Sequence, residues 1–317
     1  MAQNVGTPRF YVDIFSYLRA IGLVQSEGTF KVGLNPTEQI SKEINRAADD
    51  FDYFHYYLNS PISEDIIRNP QHNNSVIGFL GHNFASLGIQ PRVKITLDDN
   101  EYDYGSSSEI VNGDGADTVP QYDGFTLYKT QYAMGTANGE FNRFIMRLGN
   151  TDQAVNGIAK LGSIFIGTYY DMPHSPDLNL KLSYEYDGVK TIQTKGGATL
   201  SNATYTKPAD WGDGGGAWQL GNVANLRSGR RVWDLSFSYL SDTDLMPVVA
   251  ATTNLSGTEA DDFASNVLDG TDFFSQVINK TMGGHLPFVF QADNSNNSPD
   301  QFAIARFDMN SFSYDQV

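Results

Sequence analysis

The sequence predicts a mainly β protein in which strands pack in layers around apolar cores. The strongest signal is residues 231–240, where apolar and polar side chains alternate, with the apolar positions at Trp233, Leu235, Phe237 and Tyr239. A period of two places these rings on one face of a strand, and that face needs a covering layer. The 17 Tyr, 20 Phe and 30 Gly of the 317-residue chain also suit sheets and tight turns.

Composition and charge narrow the classes of function. The formal net charge of −16 argues against binding bare nucleic acid, because a phosphate backbone demands a basic face. The chain has no cysteine, so disulfides and thiolate metal sites are excluded. The segment after Met1 is polar, and no apolar run approaches the roughly 20 residues that cross a bilayer. We therefore expect a protein that is made and folded in a reducing cytoplasm.

The N-terminal part contains one ambiguous segment and one predicted helix. Residues 9–18 are rich in β-branched and aromatic side chains and predict a strand, with a short helix over 13–21 as the alternative. Residues 37–48 predict a short helix, because Ile40 and Ile44 recur at helical spacing after a proline.

An aromatic run follows at residues 51–58, with the sequence FDYFHYYL. It has no clear polar face, and such runs are usually buried. We predict that it belongs to the core, with a ligand-stacking platform as the alternative.

The middle of the chain reads as a series of short strands with no convincing helix between them. Buried or alternating runs occupy residues 76–83, 92–97, 125–128, 142–148 and 158–166. Turn-rich intervals separate these runs, a spacing typical of a β-sandwich or jelly roll. Two prolines near residues 171–177 mark a predicted domain boundary, because proline cannot donate to a sheet ladder.

The C-terminal part adds further strands and the longest predicted helix. Residues 178–186 predict a strand, and the following Asp187-Gly188 favours a tight hairpin turn. Residues 258–280 predict a helix that breaks or divides at Gly270 and packs through Phe274 against the sheet containing Trp233. The closing strands are predicted at 286–291 and 302–307.

Motifs for catalysis and cofactor binding are missing from the sequence. It has no zinc-protease, P-loop, nucleophile-elbow or dinucleotide fingerprint, and its five histidines lack metal-ligand spacing. We therefore predict no enzymatic activity and no cofactor. Calcium is the one alternative, at the acidic loops 98–103 and 112–117, but neither loop has EF-hand spacing and solvated turns are the preferred interpretation.

His82 and Asn83 end a hydrophobic strand, and we predict that they satisfy backbone groups at a turn. Residues 79–88 read FLGHNFASLG, and residues 164–167 read IFIG. These two stretches resemble the discoidin-like (galactose-binding-like) jelly-roll domains of bacteriophage structural proteins. The resemblance implies an inserted jelly-roll module over 51–172, with His82 and Asn83 as candidate ligand or interface residues.

The rest of the chain resembles tail-tube and distal-tail proteins of tailed phages. The resemblance rests on residues 228–237, which read SGRRVWDLSF, and on the Gly-Gly-X-Leu-Pro-Phe pattern at 283–288. It implies a tail-tube-like β-sandwich with one flanking helix, formed by residues 1–50 and 173–317, beside the jelly roll. Such proteins form rings, so we expect a homo-oligomer, a hexamer or trimer, within the virion.

The expected function is a non-enzymatic structural component of the phage tail, assembled in the host cytoplasm and joined to tube, hub and fibre proteins. The alternative is a carbohydrate-binding protein that recognises a host surface glycan through loop aromatics, namely Trp211, Trp218 and Tyr122. A glycan hydrolase of a tail spike is the third interpretation, and it is disfavoured because no solenoid repeats are visible. For the jelly-roll module we expect a structural role in preference to sugar binding.

Overall fold

The computed structural model describes residues 5–26, 33–34, 40–63, 75–97, 100–103, 107–111, 119–130, 140–185, 189–203, 230–245 and 271–308. The fold is mainly β, as predicted, and every strand pairing among these residues is antiparallel. Within those residues, no helix has the length and apolar character needed to cross a membrane.

A seven-stranded sheet, called the large sheet below, is the main element of the fold. Its strands are, in spatial order, β18 (Phe302–Ala305), β17 (Phe288–Gln291), β1 (Arg9–Asp13), β12 (Ser163–Asp171), β5 (Val76–His82), β9 (Gly124–Thr130) and β8 (Ser107–Val111). Strand β1, the first of the described strands, pairs with both β12 and β17, and β17 pairs in turn with the last strand, β18.

A five-stranded sheet, the small sheet, lies on one face of the large one. Its spatial order is β2 (Val24–Ser26), β4 (Asp50–Ser63), β10 (Glu140–Asn150), β6 (Gln90–Leu97) and β7 (Asn100–Asp103). Three two-stranded sheets complete the strands: β3 (Ile40–Arg46) with β11 (Val155–Leu161), β13 (Lys181–Glu185) with β16 (Arg230–Asp234), and β14 (Val189–Gln193) with β15 (Thr199–Ala203).

The main core lies between the large sheet and the small sheet. Buried side chains of both sheets form one cluster, which includes Phe79 and Tyr170 from the large sheet and Phe54 and Met146 from the small one. Helix α1 (Ile14–Ala20) also enters this core. Burial of this apolar area is the main favourable term in folding, at about 25 cal/mol per Å².

The opposite face of the large sheet is buried as well. A second cluster of side chains with at most 1% exposure contains Tyr11, Leu34, Val76, Leu80, Phe125, Leu127, Phe165, Tyr169, Val289 and Phe302. Burial of both faces explains why β5 is a continuous apolar run in which all seven residues are buried. Gly78 in this strand faces Phe165 so closely that an added Cβ would lie 1.9 Å from the ring, which requires glycine.

The five predicted central strands are confirmed as β5, β6, β9, β10 and the β11–β12 pair, and the two closing strands as β17 and β18. The ambiguous segment 9–18 holds both predicted elements in succession, because β1 ends at Asp13 and α1 begins at Ile14. The side chain of Asp13 accepts hydrogen bonds from the N–H groups of Phe15 and Ser16, so it caps the helix.

The predicted helix at 37–48 is wrong, because residues 40–46 form strand β3. Ile40 and Ile44 both lie on the more buried side of the strand, where they alternate with the exposed Ser41 and Glu43. A separation of four residues fits a helix and is also an even number, so the two isoleucines fit a strand equally well.

The segment 231–240 is a strand only as far as Asp234. Its alternation continues beyond the strand, since Leu235 and Phe237 are half-buried and pack on the main core. Tyr239 departs from the predicted face: it is 100% exposed and has a φ of 62°. A residue in that left-handed region cannot continue an extended chain, which turns its ring to solvent.

The predicted helix at 258–280 is described only at its end, because residues 258–270 lie outside the described part. Residues Phe274–Asn279 form a π-helix, preceded by Phe273. Phe273, 7% exposed, packs on the large sheet with ring centroids 5.3 Å from Phe10 and 5.5 Å from Tyr170. Phe274 and Trp233 are both partly buried against the main core, and Trp233 belongs to the β13–β16 pair and contacts Phe290. The expected packing of Phe274 on that sheet stays a prediction.

The strands around the predicted boundary share one sheet. Strands β1 and β17, from the predicted tail-tube-like segments, are hydrogen-bonded neighbours of β12, from the predicted jelly roll. The boundary itself falls at the end of β12, where the N–H of Met172 donates to the carbonyl of Pro8. The division into two domains stays a prediction. The predicted hairpin turn at residues 187–188 lies outside the described residues. Of the strands that flank it, β13 pairs with β16 and β14 with β15.

Candidate functional site

His82 is a buried structural residue at the end of β5. It is 3% exposed, and its Nδ1 accepts a hydrogen bond from the N–H of Phe84 at 3.3 Å. The proton therefore belongs on Nε2, which lies 2.8 Å from the hydroxyl of Thr126 and donates to it. Burial lowers the pKa of His82 to about 3, so the ring is neutral at physiological pH.

Asn83 joins the turn after β5 to strand β11. Its Oδ1 accepts from the N–H of Lys160 at 2.7 Å, and its Nδ2 donates to the carbonyl of Ile158 at 2.9 Å. Its neighbours Phe84–Leu87 form the short helix α2, which leads into β6. His82 and Asn83 thus have the backbone-satisfying role that the sequence predicts for them.

Of the three predicted sugar-stacking residues, Tyr122 alone lies in the described part of the chain. Tyr122 is half-buried in the bend before β9, next to Asp123, which accepts from the N–H of Ser86 at 3.0 Å. Trp211 and Trp218 lie outside the described residues. Their role as a sugar site stays a prediction.

The predicted calcium loops also fall largely outside the described residues. Asp98, Asp99 and residues 112–117 are not described, and Asn100–Asp103 form strand β7. In the part of the chain that is described, no group of three or more His, Asp or Glu residues is arranged to hold a metal ion. Calcium binding stays a prediction.

A polar cluster that sequence reasoning missed joins three strands of the large sheet. The guanidinium of Arg9 on β1 forms two hydrogen bonds with the carboxylate of Asp171 on β12, at 2.6 and 2.8 Å. Asp171 also accepts from the side chain of Asn294, and Arg9 lies 4.6 Å from the ring centroid of Tyr169. Burial opposes the charge of Arg9, but the interactions with Asp171 and Tyr11 together outweigh it and raise the pKa of the guanidinium.

The same cluster extends to β17 and β9. The hydroxyl of Tyr11 donates to Gln291 at 2.6 Å, and the amide of Gln291 donates to the carbonyls of Asp293 and Asn296. Burial raises the pKa of Tyr11, and burial together with the nearby Arg9 lowers the pKa of Lys129. These groups interact with one another, so the cluster connects neighbouring strands of the large sheet.

Asp13 carries the most unusual carboxylate of the described residues. It accepts four hydrogen bonds, from the N–H groups of Phe15, Ser16 and Leu34 and from the hydroxyl of Ser16. Burial raises the pKa of Asp13 to about 6, although the four hydrogen bonds act in the opposite direction. The interaction ties the distant segment at Gly33 and Leu34 to the start of α1.

The outward side of the small sheet presents aromatic and basic side chains. We call this surface the tyrosine–arginine face; it comprises Tyr53, His55 and Tyr57 of β4, Arg143 and Arg147 of β10, and Arg92 of β6. The register pairs Arg143 with Tyr57 and Arg147 with both Tyr53 and Arg92, so these residues lie on one side of the sheet.

This face corrects the expectation that residues 51–58 are core throughout. Phe54, Tyr56 and Leu58 are buried, whereas Tyr53 and Tyr57 are 52% and 42% exposed. Buried and exposed residues therefore alternate along the run, as in a strand. The alternation is not visible in the sequence because the exposed side also carries tyrosines. Its aromatic character is compatible with the ligand-stacking alternative.

On this face, arginine side chains lie over aromatic rings, and two rings stack on each other. The guanidinium carbon of Arg147 lies 4.4 Å from the ring centroid of Phe51 and 5.4 Å from that of Tyr53. Arg92 lies 5.8 Å from the Phe51 ring, which explains how Phe51 is only 5% exposed on the outer side. His55 stacks on Tyr57 with centroids 6.1 Å apart and planes 16° apart.

Strand β4 lies between β2 and β10. Strand β10 pairs with residues 50–57 of β4 and again with Ile62 and Ser63, with an irregularity in between. On the other side of β4, strand β2 pairs with Tyr57 and Leu58.

Comparison with known proteins finds no protein family whose model matches the chain and no curated protein that matches its sequence.

Proposed function

We propose that the protein is a non-enzymatic structural component of a phage tail, a distal-tail or baseplate ring that joins the tail tube to fibres or tip. The proposal includes a tail-tube-like β-sandwich, an inserted jelly-roll module, and location in the virion. Its starting point is the resemblance of residues 79–88, 164–167, 228–237 and 283–288 to such proteins.

The single observation that best supports an assembling protein is the exposure of Tyr53 and Tyr57 on the outer side of β4, at 52% and 42%. Large aromatic side chains are usually covered, and tyrosine is enriched at contacts between proteins. A heterologous contact between copies that closes on itself produces a ring. We propose that a second copy contacts strand β4, in a ring of six or three.

Strand β18, at one edge of the large sheet, is less suited to association between copies. Arg231 donates to the carbonyls of Asp300 and Phe302, at the edge strand β18. A charged side chain placed over edge carbonyls discourages strand addition. Assembly is therefore proposed at the small sheet, through β4, and not at β18.

Hydrogen–deuterium exchange on the full chain tests this proposal. Peptides covering residues 50–56 are compared at low and high protein concentration, with peptides of the buried strand β5 as the internal control. Slower exchange of residues 50–56 at the concentration where the chain assembles is the expected result. Unchanged exchange in an assembled protein would move the interface elsewhere, and a protein that stays monomeric at every concentration would contradict the ring.

A further inference from the structure

The hairpin formed by β14 and β15 carries an exposed apolar pair. Within the described part of the chain, these two strands form a sheet of their own, and the N–H of Thr194 donates to the carbonyl of Ala198 across the turn. The register places Ile192 directly opposite Leu200, so both side chains lie on one face of the hairpin. These two residues are 65% and 60% exposed. A two-stranded hairpin is marginally stable by itself, so a further layer on this face would stabilise it.

The same hairpin is basic within a strongly acidic chain. Residues 189–203 contain Lys190 and Lys195 and no acidic residue, whereas the whole chain has a formal net charge of −16. Lys195 is exposed in the turn, and the nearest acidic residues in the sequence are Asp187 before it and Asp210 after it. The hairpin thus offers a partner two apolar side chains together with positive charge.

A second exposed apolar spot lies where two segments of the chain meet. The carboxylate of Asp177 accepts from the N–H and the hydroxyl of Ser238, at 3.3 and 2.8 Å, and the N–H of Asp177 donates to the carbonyl of Ser236. The residue that follows Asp177 is Leu178, 103% exposed, and the residue that follows Ser238 is Tyr239, 100% exposed. These two residues therefore emerge beside one point of contact. We call them the Leu178–Tyr239 patch.

The backbone holds Tyr239 in an unfavourable conformation. Its φ of 62° lies in the left-handed region, which is strained for a residue with a side chain. Hydrogen bonds fix the chain on both sides, from Ser238 to Asp177 before it and from the N–H and hydroxyl of Ser241 to Asp244 after it. Strained residues of this kind cluster at sites that bind a partner. The fold thus keeps this ring in solvent at a cost.

The charge around the Leu178–Tyr239 patch is negative. Its two segments, residues 172–182 and 234–245, hold four aspartates and two basic residues: Asp177, Asp234, Asp242 and Asp244 against His174 and Lys181. Lys181 lies opposite Asp234 in the β13–β16 pair, and Arg230 and Arg231 lie at the other end of β16. Hydrogen bonds from Ser238 lower the pKa of Asp177, so this carboxyl is ionised at neutral pH.

We infer that the β14–β15 hairpin of one copy docks on the Leu178–Tyr239 patch of a second copy. Both surfaces are apolar at their centre, so the contact removes the Ile192–Leu200 pair and Tyr239 from water. Their charges have opposite signs, with Lys195 on the hairpin and aspartates around the patch. The inference rests on the proposed association of copies and adds a contact to the one at β4.

The partner is a second copy because every copy carries both surfaces. The two surfaces differ from each other, so their contact is heterologous and repeats from copy to copy until a ring closes. The net charge of −16 on each copy opposes association. At physiological ionic strength charges are screened over about 8 Å, so the groups inside the contact outweigh the distant acidic surface.

Disulfide cross-linking of the full chain tests the contact, because the parent has no cysteine. Ala198→Cys, in the hairpin turn, and Asn179→Cys, beside Leu178, are introduced into separate copies, mixed in equal amounts and oxidised. Intact masses distinguish the mixed dimer from the two dimers of like copies. We expect the mixed dimer well above its statistical share. In the control mixture, Asn156→Cys at an exposed position of β11 replaces Asn179→Cys and should give the statistical share. Equal enrichment in both mixtures would overturn the inference.

Variants at each surface measure its contribution to association, by sedimentation over a range of concentrations. Ile192→Thr/Leu200→Thr removes the apolar pair and keeps residues that favour strands, and it should associate about tenfold more weakly. Tyr239→Gly removes the ring and relieves the strained φ, so it should melt close to the parent and also associate about tenfold more weakly. Ile158→Thr, at a strand position that is 55% exposed, is the matched control. Equal loss in the control would contradict the assignment.

The outcomes separate this inference from the ring proposal. If the parent assembles but the cysteine pair cross-links at the statistical share, the ring proposal stands and the hairpin contact is wrong. If mixed dimers are enriched although the parent forms no ring, the hairpin contact is supported and the closed ring is wrong. A monomeric parent with cross-linking at the statistical share contradicts both.

Discussion

The main-chain N–H of Leu34 donates to the carboxylate of Asp13 at 2.7 Å, across 21 residues of chain. This contact places the segment at Gly33 and Leu34 beside the start of α1, where Gly33 also donates to the carbonyl of Ile164 on β12. A single buried carboxylate thus joins a helix start, a remote segment and the large sheet. Its protonation state should consequently affect the stability of the fold.

The first prediction concerns Asp13. Its pKa is raised from 3.8 to about 6 in the folded protein, so between pH 4 and 6 the folded state binds more protons than the unfolded state. The contribution of Asp13 to the unfolding free energy is therefore fully present below pH 4 and falls by about 3 kcal/mol as pH rises through 6.

Urea unfolding of the parent and of Asp13→Asn, repeated from pH 4 to 7, checks this contribution. The stability difference between the two proteins should shrink steadily over that range, because only the parent carries the titrating group. A difference that stays constant with pH would mean that the carboxylate titrates normally. Ser241→Ala, at an exposed side chain that bonds Asp244, is the control for general pH effects.

The second prediction concerns His82, whose effect has the opposite sign. Its pKa is lowered to about 3 in the folded protein, so between pH 3 and 6.5 the unfolded state binds more protons than the folded state. The contribution to stability is present above pH 6.5 and is lost, by about 5 kcal/mol, as pH falls toward 3. Between pH 4 and 6 it offsets the effect of Asp13.

His82→Gln should keep an acceptor for Phe84 and a donor for Thr126 while removing the titration. Acid unfolding followed by circular dichroism is expected to show a shallower decline in stability for this variant than for the parent. His285→Gln provides a comparison at a partly exposed position outside the core. The burial argument fails if the parent and His82→Gln have parallel pH curves.

The third prediction separates two adjacent phenylalanines. Phe273 is 7% exposed and contacts Phe10 and Tyr170, whereas Phe274 is only partly buried. Phe273→Ala should therefore cost about 3–5 kcal/mol of stability, and Phe274→Ala should cost clearly less. Denaturant midpoints of the two variants measure the difference, and a larger cost at Phe274 would show that the segment packs the other way round.

The fourth prediction concerns the contact between Gly78 and Phe165. An alanine Cβ at position 78 would lie 1.9 Å from the Phe165 ring, so Gly78→Ala should destabilise the protein by about 1–3 kcal/mol or more. Adding Phe165→Leu to that variant should recover part of the loss. Gly196→Ala has no atom nearer than 4.0 Å and should melt with the parent. If Gly78→Ala also melts with the parent, the two strands are not this close.

The sequence predicts the strands well where one physical signal dominates. Strand β5 is recognisable because both of its faces are buried and its apolar run is continuous. The β3 segment is misread because Ile40 and Ile44 fit two periods at once. The aromatic run of β4 hides its alternation because tyrosine serves on exposed and buried faces alike.

Long-range neighbours were beyond sequence reasoning, because a periodic pattern assigns a residue to a face and not to a partner strand. Arg9 meets Asp171 across 162 residues, and Tyr11 meets Gln291 across 280. The tyrosine–arginine face depends in the same way on the pairing of β4, β10 and β6. Its rings were visible in the sequence, but the arginines that accompany them were not assignable to the same surface.

The central claim is that copies of this chain associate into a closed ring. Mass photometry of the full-length protein, over a range of concentrations and with tail-tube protein added, measures it most directly. The account predicts a discrete species at three or six times the 35.0 kDa chain mass. A single species at 35.0 kDa under all of these conditions would contradict it.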